Sequence, residues 1–158
     1  MDRLNALAGA AYKTAKSLIE EKEQEPILPV FLMLDKNDKV HIFGTPYSGD
    51  EEKDATAKFI REEAKRIDAK AYIHVAEAWV TTVSKGDNWR DMPRPSVSES
   101  RREVVIVAGE DTDGKIISRM WEIHRDPLDP NKRSLGPEEK SLRDSKTLEG
   151  RFANLLSE

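Results

Sequence analysis

The segment AYIHVAEAWVTTV, Ala71 to Val83, constrains the fold more than any other part of the chain. It holds no Gly or Pro, is rich in β-branched and aromatic residues, and runs too long for a connecting loop, so it predicts one long strand. A strand needs neighbours. After the polar run SKGDNWRDMPRPSVSES comes RREVVIVAGEDTDGKIISRMWEIHR, which reads as a hairpin. Alternation divides the long strand into two faces. Ala71, Ile73, Val75, Glu77, Trp79, Thr81 and Val83 form the more apolar face and are expected to lie toward a helix layer. Tyr72, His74, Ala76, Ala78, Val80 and Thr82 form the other. Glu77 alone breaks the apolar pattern of its face.

The N-terminal half supplies the remaining elements. Leu4, Leu7, Ala11, Ala15, Leu18 and Ile19 recur at helical spacing and predict an amphipathic helix that Pro26 stops. Ile27 to Leu34 is apolar at consecutive positions, as in a strand buried on both faces. Asp35-Lys36-Asn37-Asp38 carries turn chemistry, and Lys39 to Gly44 returns as the second arm of a hairpin. Ser48 and Glu51 match a capping box, opening a helix with Ala55, Phe59, Ile60, Ala64 and Ile67 on one face. Val104 to Gly109 is a continuous apolar strand, expected in a central position, and Asp111-Thr112-Asp113-Gly114 is a hairpin turn into the last strand, Lys115 to Arg125.

Beyond Arg125 the periodicity stops. Residues 126–147 contain Pro127, Pro130, Gly136 and Pro137 among mixed charges and read as a flexible linker. In residues 148–158, Leu148, Phe152, Leu155 and Leu156 fall at helical spacing and predict a short amphipathic helix. The expected architecture is α+β: helix, two strands, helix, three strands. It gives a mostly antiparallel five-stranded sheet with two packed helices and a polar C-terminal tail, residues 1–125 forming one domain.

Over Met1–Arg125 this element order resembles the roadblock and longin-type (profilin-like) modules. In their strand order His41 and His74 would stand at opposite sheet edges. AEAWV followed by SRREVVIVAGEDTDG is similar to a group of uncharacterised bacterial and phage proteins. That group has no assigned activity, so the resemblance implies no chemistry.

Composition removes several function classes. The absence of cysteine excludes disulfides, thiolate metal sites and cysteine nucleophiles. The net charge of −4, with both signs interspersed, argues against polyanion binding. The apolar run Ile27–Leu34 is too short to cross a bilayer, and Lys13 and Lys16 interrupt any secretory core, so a cytoplasmic protein without membrane contact is expected.

Two sets of residues carry candidate chemistry, and two more a candidate contact. Glu77, between Val75 and Trp79, would act as a general acid or base if held unpaired against the indole, with His74 or His124 near it. The structural alternative is an edge position or an ion pair with Arg119 or Arg102. His41, His74 and His124 lack the close spacing of metal ligands and are expected on solvent faces of strands, so no metal or cofactor is expected. Trp89, Arg90 and Arg94 lie in the long loop of residues 84–102, where five cations meet three carboxylates. Such a loop fits a protein anchor or weak single-stranded nucleic-acid binding. Phe152 and Leu155 fit either docking on the domain or a partner's groove. Together these features favour a non-enzymatic interaction or regulatory module that acts through the Trp89 loop, a helix layer or the C-terminal helix and binds a protein partner or itself rather than nucleic acid. A small hydrolase or acid–base enzyme centred on Glu77 and a nucleic-acid-binding loop are the alternatives.

Overall fold

Helix α1 (Arg3–Glu20) begins where the Asp2 side chain accepts the Leu4 N–H at 2.9 Å, which satisfies one of the free donors of the first turn. Its Leu4, Leu7, Ala8, Ala11, Ala15 and Ile19 are buried, close to the stripe read from spacing. In this computed structural model, which describes residues 2–23, 27–45, 49–80, 101–139 and 155–156, that stripe packs on one face of an antiparallel sheet.

The strands are β1 (Val30–Leu34), β2 (Val40–Gly44), β3 (Ala71–Val80), β4 (Arg102–Asp111), β5 (Ile116–Arg125) and β6 (Arg133–Glu138), ordered β2-β1-β3-β4-β5-β6. Among the described residues the sheet therefore has six strands, not five. The sixth comes from the segment expected as a flexible linker, where Gly136 and Pro137 mask a strand signal. A sheet-edge strand tolerates both, because only one side of it must donate to the ladder. β3 pairs directly with β1, so His41 and His74 are separated by a single strand rather than by the whole sheet. That is not the roadblock-like order.

β3 presents Ala71, Ile73 and Val75 to α1, as alternation predicts. Its opposite face is also buried: Tyr72 joins Phe31 and Met33 of β1 under helix α2 (Gly49–Ile67), which contributes Ala57, Ile60, Ala64 and Ile67. The helix is rotated relative to the spacing argument, so that Ala57 takes the core position and Phe59 is left exposed at 44%, edge-on to Phe43 with ring centroids 5.9 Å apart. Ser48, the expected cap, lies outside the described residues.

Leu155 joins this second core, 2% exposed, and its backbone hydrogen-bonds the Tyr72 phenol, whose pKa is driven up by burial and by the adjacent Glu110. Docking is thus what the described part of the C-terminal segment does. Truncating a fully buried leucine removes its transfer energy and leaves a cavity, so Leu155→Ala should cost about 2–3 kcal/mol in a urea titration.

Candidate functional site

Glu77 lies on the α1 face of β3, near the C-terminal end of α1. Its carboxylate accepts from Arg133 Nη1 of β6 at 2.7 Å and from the Ile27 N–H at 3.3 Å. The Arg133 side chain is 1% exposed and that of Glu77 16%, so this is a mostly desolvated pair. The pairing alternative describes Glu77, but the partner is Arg133, not Arg119 or Arg102. Arg102 points to the opposite face, where it contacts Glu122 at 2.9 Å and Glu139 at 2.8 Å. Arg119 lies by the start of α1, with its guanidinium 2.8 Å from Asn5 Oδ1. Arg133 was missed because its strand carries no apolar alternation. Around the pair, Arg125 grips Glu103 at 3.0 Å, and Glu20 at the end of α1 accepts the Leu135 N–H at 2.9 Å. These contacts hold β6 and α1 in place.

His74 does not lie beside Glu77. It sits at an even position of β3, as His124 does on β5, and both face away from the Glu77 side of the sheet. Nor is His74 a solvent-face residue: it is stacked on Phe31 with centroids 4.4 Å apart, and burial depresses its pKa to about 4. The indole of Trp79 does not enclose Glu77; it is 40% exposed, with the Arg101 guanidinium 4.7 Å above its ring. Among the described residues no group of three or more His, Asp or Glu gathers as a metal site. Trp89, Arg90, Arg94 and Phe152 lie outside the described residues.

The burial of His74 gives a pH dependence. Above about pH 6.5 both folded and unfolded chains hold the imidazole neutral, so it carries no penalty. As pH falls the unfolded chain protonates first. Stability should then decline by about 1.4 kcal/mol per pH unit until the folded imidazole titrates near pH 4. Urea midpoints at pH 7 and pH 5 should separate for the wild type and converge for His74→Phe.

The turn between β1 and β2 is a second ordered polar centre. The Asp35 carboxylate accepts the N–H groups of Asn37 at 2.8 Å and Lys39 at 3.0 Å, and meets His41 Nε2 at 2.8 Å. The His41 contact, then the Lys39 N–H, hold its pKa near 2 against the cost of burial. Asp38 completes the turn in the left-handed region at φ 64°. The effect is to fix β2 rigidly beside β1.

On the α1 face of this hairpin the surface is apolar. Ile42 is 69% exposed, Leu28 46% and Val40 44%. Val40 also lines an open groove of about 470 Å³ with Ala6, Leu7, Ala10, Leu32 and Leu34, and with the charged Arg3 and Asp38.

A family model described as Bacteriophage lambda protein ea47 matches residues 2–151. The chain belongs to this phage protein family. The match runs from α1 through β6 and covers Glu77, Arg133 and the β2 rim alike. No curated protein and no solved structure matches the chain. No helix among the described residues is long and apolar enough to cross a membrane.

Proposed function

We infer that this ea47-family protein is a non-enzymatic interaction module whose contact surface is the rim formed by β2 and the adjacent end of β1. The observation that carries this reading is the grouping of Leu28, Val40 and Ile42 along one sheet edge. Scattered exposed apolar residues are ordinary, but a contiguous strip beside an open groove is the usual mark of a contact surface. The residue best placed for acid–base chemistry, Glu77, is already bound by Arg133 and the Ile27 amide, which weighs against the enzyme reading. The turn centred on Asp35 holds the strip in one geometry before any partner arrives, which lowers the ordering cost of binding.

Tagged protein at native level, cross-linked in phage-infected cells before lysis, should be recovered in a complex with another chain or a second copy. The double variant Val40→Lys/Ile42→Lys should lose it. Recovery of the wild type as a lone monomer would contradict the reading.

A further inference from the structure

The backbone of β2 offers more than an apolar strip. The Asp35 N–H donates to Lys39 O, and the Thr45 N–H to Pro29 O, at the two ends of the β1–β2 ladder. Antiparallel ladders alternate, so His41 and Phe43 direct their N–H and C=O groups to β1, opposite Met33 and Phe31. Val40, Ile42 and Gly44 therefore turn theirs outward, where β2 ends the sheet among the described residues.

The two edges of the sheet are treated differently. β6 carries Gly136, Pro137, charged ends and a register shift against β5, all features that discourage a further strand. β2, with the sequence VHIFG, has no proline, no lysine or arginine, no carboxylate and an unbroken register with β1. Among the described residues it lacks the usual protection of an exposed edge.

We propose that β2 pairs antiparallel with β2 of a second copy about a two-fold axis at Ile42, joining two six-stranded sheets into one. This rests on the interaction-module reading and names its partner. The register is self-complementary. Ile42 faces Ile42 of the partner copy and Val40 faces Gly44, so the three outward residues of each strand exchange all their N–H and C=O groups. The side chains agree. Leu28 lies over Gly44, where a Cβ would come within 2.9 Å of its Cδ2, and so meets Val40 of the other copy. The most exposed apolar residue, Ile42, meets itself, and one continuous apolar strip is buried. Charge does not oppose the register, because Lys39 falls opposite Thr45 rather than opposite a like charge. One strand edge and a few side chains make a footprint below the roughly 800 Å² per partner of a standard interface, in the class of weak, transient contacts, so a wide concentration range is the appropriate test.

Sedimentation velocity of the purified full chain tests this without any other component. From about 1 µM to about 500 µM the wild type should shift from monomer toward dimer. Ile42→Lys, which sets two like charges across the axis, should remain monomeric. So should Ile42→Pro, whose missing N–H faces outward and leaves the β1–β2 ladder intact. Both should keep the wild-type circular dichroism spectrum. A wild type that stays monomeric throughout, or a dimer that survives both changes, would overturn the proposal. A purified monomer that still enters a complex in infected cells would overturn only the second-copy partner, whereas a monomer in both settings would remove the interaction module as well.

Discussion

Replacing Arg133 with alanine is expected to destabilise the protein by about 3–5 kcal/mol, read as a fall in the urea midpoint at pH 7. The magnitude follows from burial. The Arg133 side chain is 1% exposed and the Glu77 carboxylate 16%, so the substitution leaves a largely desolvated negative charge with only the Ile27 amide to hold it. It also frees β6, which Arg133 helps tie to the α1 face. Removing both charges is expected to be milder: Glu77→Gln with Arg133→Met keeps the volume and leaves no unpaired charge at position 77, so it should recover a large part of the loss. An exposed pair such as Arg66–Glu63, with the arginine side chain 63% exposed, gives the contrast, and Arg66→Ala should change stability by less than about 1 kcal/mol.

Gly109→Ala is expected to cost about 3 kcal/mol or more and to lower soluble yield. Gly109 lies in β4 opposite Ile73, and a Cβ there would stand 1.9 Å from the Tyr72 carbonyl oxygen and 2.9 Å from Ile73 Cδ1. The first obstacle is backbone in the neighbouring strand and cannot rotate away. The methyl group must therefore push β3 and β4 apart at the centre of the sheet. Gly9→Ala is the internal control. No atom lies within 4 Å of its added Cβ, and alanine is the better helix former, so this change should raise stability by about 0.5–1 kcal/mol. Thermal melts of the two variants should move in opposite directions.

What the sequence made legible is what local periodicity and turn chemistry encode. The stripe of α1 and the α1-facing residues of β3 follow from spacing. The Asp111–Gly114 turn follows from its residues: Asp111 Oδ1 accepts the N–H groups of Asp113 and Lys115, and Gly114 takes φ 82°. What stayed hidden depends on contacts distant in sequence. β6 has the residues of a loop and becomes a strand because β5 offers an open edge. Since β6 was invisible, so was Arg133, and the partner of Glu77 could not be named. His74 looked exposed because a polar residue on the less apolar face implies solvent. α2 and Phe31 make that face a second core instead. The β2 rim was equally unreadable, since VHIFG shows nothing of whether a helix will cover it.

Glu77 is held by Arg133 rather than kept available for chemistry. A double-mutant cycle with Glu77→Gln, Arg133→Met and the double variant, followed by urea unfolding at pH 7, measures that coupling directly. The geometry predicts a coupling energy of about 2–3 kcal/mol, the upper range for residues in direct contact. A value below about 0.5 kcal/mol, as found for sites that do not interact, would contradict it and return Glu77 to the list of catalytic candidates.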